Sequence, residues 1–152
     1  MLPTPKKFTL VAGAAEGTSE LNAFDHALLN SGIGNLNLLK VSSILPPETE
    51  FAETLEIPPG SLTPTAYGST ISEHPGELIA AAVGVGISRD TFGIIMEYSG
   101  SCSQVEAEAE VTRRVEAAFA TRNLPLSKLI VKATEHRVEQ IGCAFAAVAL
   151  WY

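Results

Sequence analysis

The sequence predicts an α+β fold, in which helices pack on sheets, from two observations. Apolar residues recur at helical spacing in only two stretches, over about 20–30 and 103–122, and the other long apolar runs have the length of strands. Most of those strands follow one another directly along the chain, so a regularly alternating βαβ arrangement fits poorly. With 152 residues, of which 46% are apolar, the chain is expected to form one domain with its own core.

The first predicted elements are a strand over 7–12 and, after a loop rich in glycine and alanine, a helix over about 20–30. Thr18 or Ser19 can cap the start of this helix, and Gly32 can end it. An apolar stripe follows helical spacing along it: Leu21, Phe24, Leu28 and Leu29. The helix is therefore expected to bury one face against a sheet.

A carboxylate interrupts that stripe. Asp25 lies four residues after Leu21 and one turn before Leu28 and Leu29. Because a carboxylate on an apolar face loses solvation, Asp25 needs either a partner or a site to face. The alternative is an ordinary helix-face carboxylate paired with a backbone group or a lysine.

The next predicted strand covers 35–43 and is followed by a proline-rich and acidic stretch, 44–65, which should form a loop or a lid-like excursion. Alternation along the strand places Asn37 and Ser43 on the same face. Six residues of extended strand span about 20 Å. If both residues serve one site, they must therefore come from different copies of the chain.

The second half of the chain is predicted to hold one helix among four strands. Ser101 with Gln104, or Ser103 with Glu106, offers a capping box for a helix that runs to about Arg122. The strands are expected at 77–88, 91–99, 127–135 and 137–151.

One of these strands carries an isolated acid. Glu97 is the only charged residue in FGIIMEYSG (92–100), and alternation places it on the same face as Gly93 and Ile95. Burial should raise the pKa of such a carboxyl, so that a neutral acid persists near pH 7 and can donate a proton. The alternative is an edge-strand charge that faces water.

Composition excludes several classes of function. A net charge of −7 and a pI of about 4.9 argue against binding to nucleic acid, and they suit a cationic substrate. The longest apolar runs, 78–87 and 141–152, are too short to cross a bilayer as helices, and the N-terminus lacks the apolar segment of a signal peptide. We therefore expect a soluble, cytoplasmic protein without a membrane partner. The low charged content, 18%, is typical of a chain that forms oligomers.

The usual cofactor motifs are missing. The glycine-rich stretch 13–18 lacks the lysine of a phosphate-binding loop, and Gly84 and Gly86 have no third glycine. The three histidines have no mutual ligand spacing, so no metal site is predicted. Cys102 and Cys143 form no CxxC pair and are expected to be small core residues.

Two adjacent serines lie between a predicted strand and a pair of prolines. In VSSILPP (41–47), Ser42 and Ser43 end an apolar run that Pro46 and Pro47 cut off. A solvated strand end is the simpler interpretation. The other is that Ser43 is converted into a different chemical group.

With these residues assembled, the chain resembles the pyruvoyl-dependent arginine decarboxylases over essentially its whole length. The resemblance is densest in LNAFDHALLNSGIGNLNLLKVSSILPP (21–47) and continues through 60–87 and 94–100. It implies that the Ser43 hydroxyl attacks the Ser42 carbonyl, that β-elimination then cuts the chain, and that a pyruvoyl group remains on the new N-terminus. The products would be a β chain, 1–42, and an α chain, 43–152.

The resemblance also implies an architecture and a cofactor. It implies a four-layer αββα sandwich with antiparallel-rich sheets and helices on the outer faces, assembled as a homotrimer or a dimer of trimers with active sites between subunits. The pyruvoyl group is covalent and withdraws electrons as pyridoxal phosphate would, so neither PLP nor a metal is implied.

Roles for single residues follow from the same resemblance. Asn37 matches the asparagine that supports processing and catalysis, and Glu97 matches the glutamate that protonates the α-carbon after CO2 leaves. Asp25 matches the aspartate that pairs with the guanidinium group, for which a carboxylate offers bidentate hydrogen bonding. Gly34 and Leu36 match positions whose backbone carbonyls help to hold that group.

The function implied is decarboxylation of L-arginine to agmatine and CO2. Two alternatives remain open from the residues: decarboxylation of another amino acid, such as histidine, on the same cofactor, or a non-enzymatic oligomeric binding protein in which Ser42–Ser43 stays intact.

Overall fold

Two helices and nine strands form four layers in the computed structural model, which describes residues 1–152. The elements follow in the order β1 (Lys7–Glu16), α1 (Glu20–Ser31), β2 (Asn37–Lys40), β3 (Ile44–Leu45), β4 (Glu50–Phe51), β5 (Leu62–Ser72), β6 (Leu78–Ile87), β7 (Gly93–Gly100), α2 (Gln104–Thr121), β8 (Lys128–Arg137) and β9 (Gly142–Trp151).

The strands form two sheets, with the orders β2-β5-β9-β1-β4 and β3-β7-β6-β8. Five of the strand pairs are antiparallel, and β1–β4 and β2–β5 are parallel. Successive residues of β9 point in opposite directions, because Phe145 packs with α1 whereas Ala146 packs with the second sheet. Helix α2 covers the outer face of the second sheet through Val111 and Val115. This arrangement confirms the predicted α+β class and the αββα sandwich.

Both helices begin at capping residues that the sequence offers, and α1 also ends at a predicted glycine. The Ser19 hydroxyl accepts a hydrogen bond from the Asn22 N–H, and Gly32 ends α1 in the left-handed region at φ 95°. Ser103 and Glu106 form the capping box of α2. Neither helix combines the length and apolar content that a membrane-spanning helix requires.

The apolar stripe predicted for α1 was partly wrong. Ala23, Ala27 and Leu28 are the residues that α1 buries, whereas Leu21 and Leu29 are 76% and 47% exposed. The small alanines allow the helix to approach the sheet closely, and the contact face is rotated away from Leu21 and Leu29. The two exposed leucines leave an apolar surface on the outside of this chain.

Strand β5 was absent from the prediction, and part of the supposed loop at 44–65 is strand. The N-terminal half of β5 looks unlike a buried strand in sequence because it contains Pro64 and because its buried residues include the hydroxyl-bearing Thr63 and Thr65, although threonine itself favours strands. The structure accommodates both features. The Thr65 hydroxyl donates to the Thr63 carbonyl at 2.8 Å, and Pro64 lies just before the first residue of β5 that pairs with β9, Thr65.

The predicted strand over 35–43 was also wrong in its second half. Strand β2 ends at Lys40 in the first sheet, and the chain enters the second sheet at Ile44. Residues 41–43 therefore cross from one sheet to the other. Apolar residues stand on both sides of this crossing, Leu39 before it and Ile44 after it, so the apolar pattern does not show that the chain changes sheet.

A carboxylate ties the end of β1 to the turn between β8 and β9. Glu16 Oε2 lies 2.6 Å from Nε2 of His136, and Glu16 Oε1 accepts from the N–H groups of Gln140 at 2.8 Å and Ile141 at 3.1 Å. Burial alone would raise the pKa of Glu16, but the hydrogen bonds from His136, Gln140 and Glu139 outweigh it and lower that pKa below its ordinary value. The charged form of Glu16 therefore stabilises the junction between the two sheets.

Replacing Glu16 by glutamine is expected to lower the free energy of unfolding by about 2 kcal/mol at neutral pH, because several hydrogen bonds to a charge are weakened. Because the pKa of Glu16 is lower in the folded chain than in the unfolded chain, Glu16 stabilises the fold at pH values above its unfolded pKa of about 4.3. That stability is lost as the pH falls through the pKa of the folded chain. Urea unfolding at neutral and acidic pH should therefore show a difference that shrinks in acid. Glu139→Gln, an exposed acid in the same turn, is the matched control. A deficit that stays constant with pH would contradict the charge-based explanation.

Candidate active site

The Ser42–Ser43 peptide lies in the crossing between the sheets. Ser42 is exposed and Ser43 is partly buried. The Ser43 carbonyl accepts a hydrogen bond from the Ile95 N–H of β7 at 2.6 Å. The first residue after the predicted cleavage point is thus attached to the second sheet, whereas the Val41 N–H donates to the Thr65 carbonyl in the first sheet at 3.1 Å.

The segment after Ser43 is held firmly. Ile44 and Leu45 pair with Ile94 and Gly93 of β7, and Leu45 is buried between the sheets. Gly93 is required here, because a Cβ at this position would lie 2.5 Å from the Gly86 carbonyl oxygen. The pairing fixes the direction in which residue 43 leaves β3, so its position relative to β7 is defined.

Glu97 lies on the same strand as the Ile95 N–H that holds Ser43. Two residues along a strand span about 7 Å. As predicted, Glu97 shares a face with Gly93 and Ile95, and that face points between the sheets. Its side chain packs on Gly68 of β5, where a Cβ would lie 3.2 Å from the Glu97 Cγ. The site therefore contains an acid on the strand that anchors residue 43.

The carboxyl of Glu97 is buried and lacks a partner, which favours its protonated form. Its Oε2 atom is buried and has no hydrogen-bond partner within the chain, so an edge-strand charge facing water does not describe it. Burial raises the pKa of Glu97, and the charges of Lys40 and Arg114 oppose that rise without cancelling it. A carboxyl with a raised pKa keeps its proton to higher pH, as a proton donor requires.

Asp25 lies in a different layer of the sandwich. It is exposed on α1, which packs on the face of the first sheet opposite to the second sheet. Glu97 lies on the other side of that sheet, so one chain does not bring the two carboxyls together. Leu21 and Leu29, the exposed leucines of α1, lie one turn before and one turn after Asp25.

Asn37 lies on β2, the edge strand of the first sheet. It is exposed, and its Nδ2 donates to the Gly60 carbonyl at 2.8 Å. Because the strand ends at Lys40, the predicted separation of about 20 Å from Ser43 along one extended strand does not apply. The bond to Gly60 instead fixes the orientation of the Asn37 amide at the sheet edge.

Gly34 and Leu36 lie in the turn between α1 and β2. A Cβ at Gly34 would lie 2.6 Å from the Leu29 side chain, so the turn can approach the helix only with glycine there. Leu36 packs against the cluster under α1. The neighbouring Asn35 carbonyl accepts from the Gly60 N–H at 2.7 Å, which anchors the turn to the start of β5.

Three groups at the site were missed by reasoning from the sequence. The Ile95 N–H is a main-chain donor and carries no residue-type signal. Arg114 lies on α2, 17 residues from Glu97, yet its Nη1 donates to the Glu97 carbonyl at 3.3 Å. Lys40 stands alone at the end of β2, three residues before Ser43, and its Nζ lies 4.5 Å from the centre of the Tyr67 ring. Only Lys40, an isolated cation beside the serine pair, could have been singled out.

Comparison with known proteins shows the relationship directly. The family model described as pyruvoyl-dependent arginine decarboxylase matches residues 7–152. The pyruvoyl-dependent arginine decarboxylase of Methanocaldococcus jannaschii is 52% identical over 150 residues, which cover 97% of this chain and 91% of the relative. That of Methanococcus maripaludis strain C5 is 48% identical, with coverage of 97% and 92%, and that of Pyrococcus horikoshii is 44% identical, with coverage of 98% and 96%. The chain belongs to the pyruvoyl-dependent arginine decarboxylase family.

Proposed function

We propose that this protein decarboxylates L-arginine to agmatine and CO2 on a pyruvoyl group that it makes by cutting itself between Ser42 and Ser43. The observation that carries the proposal is the position of this peptide, at the crossing between the sheets and anchored on the strand that bears the buried, unpartnered carboxyl of Glu97. The cut would leave a β chain, 1–42, and an α chain, 43–152.

The residues present fit a pyruvoyl group at position 43. The Ile95 N–H holds the carbonyl of that residue, and the unpartnered Oε2 of Glu97 is free to hydrogen-bond to a bound group. A pyruvoyl group binds the amine of the substrate covalently and withdraws electrons from the α-carbon. Because the chain supplies this group itself, neither PLP nor a metal is part of the proposal.

Glu97 supplies the proton in this scheme. Loss of CO2 from an amino acid leaves a carbon that must be protonated, and an acid close to residue 43 can donate to it. The raised pKa of Glu97 supports this role, since it extends the pH range over which the carboxyl keeps a proton to donate. Glu97 is therefore the catalytic acid of the proposal.

The complete site is proposed to form between copies of the chain, in a trimer or a dimer of trimers. Asp25 of one copy would bind the guanidinium group, and Ser43 and Glu97 of the next would act on the α-carbon. Two features of the chain support this: Asp25 and Glu97 lie on opposite sides of the first sheet, and exposed leucines flank Asp25. Two more exposed leucines, Leu39 at 43% and Leu62 at 62%, lie on the β2–β5 edge.

Three residues near the start of β2 are proposed to complete the site. Asn37 would support self-cleavage and catalysis through an amide whose orientation the bond to Gly60 fixes. The carbonyls of Gly34 and Leu36 would help Asp25 to hold the guanidinium group, since that group carries five N–H donors. We also propose a cytoplasmic location, where the two free cysteines would stay reduced.

Intact-mass measurement combined with CO2 release from a panel of amino acids tests the function. We expect two fragments, split between residues 42 and 43, and CO2 from arginine. A full-length chain that never splits during long incubation would contradict the pyruvoyl chemistry and favour a non-enzymatic binding protein. Cleavage followed by CO2 release from histidine, and not from arginine, would show a decarboxylase of another amino acid.

Replacing Asp25 by alanine is expected to raise KM for arginine by about 10- to 100-fold, because a hydrogen-bonded charge pair with the guanidinium group is lost. Self-cleavage should continue, since Asp25 lies on the outer helix α1 and the serine pair lies in the crossing between the sheets. Steady-state kinetics and intact mass measure the two effects. Glu20→Ala, which removes another exposed acid of α1, is the matched control and should leave KM unchanged. An unchanged KM in the Asp25 variant would remove Asp25 from the guanidinium role.

A further inference from the structure

The outer edge of β7 is unpaired where Glu97 lies. Strand β3 pairs only with Gly93 and Ile94 along this edge. The Ser43 carbonyl then accepts a hydrogen bond from the Ile95 N–H. In an antiparallel strand, the N–H and C=O of alternate residues point to the same edge. The main-chain groups of Glu97 therefore point to the edge where β3 has already ended.

Arg114 of α2 reaches that edge. Its Nη1 donates to the Glu97 carbonyl at 3.3 Å, and its guanidinium carbon lies 4.9 Å from the centre of the Tyr98 ring. Its Nε donates to Glu110 Oε1 at 3.1 Å, which orients the guanidinium group from one turn earlier on the helix. Arg114 thus connects α2 to two consecutive residues of β7.

We propose that Arg114 is a positioning residue for the acid of the decarboxylation, holding the free edge of β7 through the Glu97 carbonyl and so fixing where the Glu97 carboxyl lies between the sheets. This inference rests on the proposed function. The Arg114 guanidinium group lies on the α2 side of the second sheet, whereas the Glu97 carboxyl points between the sheets. Arg114 therefore contacts the main-chain carbonyl of Glu97 and not its carboxyl.

Two cations act on the Glu97 carboxyl. They are Lys40 on β2 and Arg114 on α2, and the charge of each lowers a pKa that burial raises. The other neighbours carry no charge: β5 presents Gly68, and on β7 the Ser99 hydroxyl donates to the Ser69 carbonyl at 2.9 Å. Because the Arg114 side chain is 46% exposed, solvent weakens its charge. We therefore expect its hydrogen bond to matter more than its charge.

The chain offers a matched control for this contact. Arg113 pairs with the same Glu110 as Arg114 does, one residue earlier on α2, and the structure shows no bond from it to β7. Arg114→Gln is expected to lower kcat for arginine about tenfold with KM nearly unchanged, as a misplaced catalytic group should. Arg113→Gln should leave both unchanged. Arg114→Lys should recover part of kcat, because the ammonium group can still donate to the carbonyl.

The pKa of Glu97 gives a readout that does not depend on activity. Protein labelled with 13C in its glutamate carboxyls would be titrated by NMR, with the Glu97 signal assigned by its absence in Glu97→Gln. We expect this pKa to rise in Arg114→Gln, where a positive charge is lost, and to stay unchanged in Arg113→Gln and Arg114→Lys. An unchanged kcat in Arg114→Gln, with or without a raised pKa, or equal effects in Arg113→Gln, would overturn the inference. A wild-type protein that releases no CO2 would instead refute the proposed function, and the titration would then still show whether Arg114 acts on the Glu97 carboxyl.

Discussion

Replacing Ser43 by alanine is expected to leave a single uncut chain of 16.0 kDa without decarboxylase activity. The hydroxyl of Ser43 is the nucleophile of the proposed cleavage and the source of the pyruvoyl group, so its loss removes both the cut and the cofactor. The effect should be complete, because no other group in the chain can become a ketone at this position. Intact-mass spectrometry measures the cut, and CO2 release measures the activity.

Ser42→Ala is the matched control for this experiment. Ser42 contributes its carbonyl carbon to the proposed cleavage and not its hydroxyl, so this variant should still be cut between residues 42 and 43. Circular dichroism would verify that the uncut Ser43 variant is folded. Cleavage of the Ser43→Ala chain at the same peptide would show that another nucleophile performs the cut.

Replacing Glu97 by glutamine is expected to lower kcat by about 10²- to 10⁴-fold while cleavage continues. The glutamine amide keeps the shape of a neutral carboxyl but cannot give up a proton at an accessible pH. Steady-state kinetics on the cut protein measures the loss. Glu116→Gln, an exposed acid on α2, is the control and should leave kcat unchanged. A near-normal kcat in Glu97→Gln would remove this residue from the proton-donor role.

The same substitution has a consequence for stability that separates it from simple damage to the fold. Burial makes the pKa of Glu97 higher in the folded protein than in the unfolded chain. The stability that the protonated form contributes is therefore lost as the pH rises through the pKa of the folded protein. The glutamine variant has no proton to lose there. Urea unfolding should therefore show Glu97→Gln gaining stability relative to wild type as the pH rises. A variant that is destabilised equally at all pH values would indicate a packing defect instead.

Local signals predicted most of the fold, and long-range pairing accounts for what they missed. The capping box at Ser103 and Glu106 and the glycine stop at Gly32 are contacts between near neighbours, and both were found from the sequence. Strand β5 was missed because Pro64 argues against a central strand, and only the pairing with β2 and β9 shows where its missing N–H is tolerated. The change of sheet between β2 and β3 has no local signature at all.

The sequence predicted the surroundings of Glu97 better than those of Asp25. Glu97 was recognisable as a lone acid in an apolar strand, and the structure places it between the sheets. Asp25 was assigned to a buried stripe in which Leu21 and Leu29 turned out to be exposed. A helix face that contacts a second chain has the same apolar pattern as a helix face that packs on the sheet of its own chain. Sequence periodicity therefore cannot distinguish the two kinds of face.

The cut would also change unfolding from an equilibrium of one molecule to an equilibrium that involves two. Residues 1–42 hold β1, whose ten residues all pair with β9 in the interior of the first sheet, so the short chain would stay in place after cleavage. Once denatured, however, the two pieces are separate molecules. Refolding then becomes a second-order association, and the midpoint of unfolding should depend on protein concentration, even within one protomer. The enzyme would be assembled once, as a single chain, and its return from the denatured state would be limited by encounter between its own fragments.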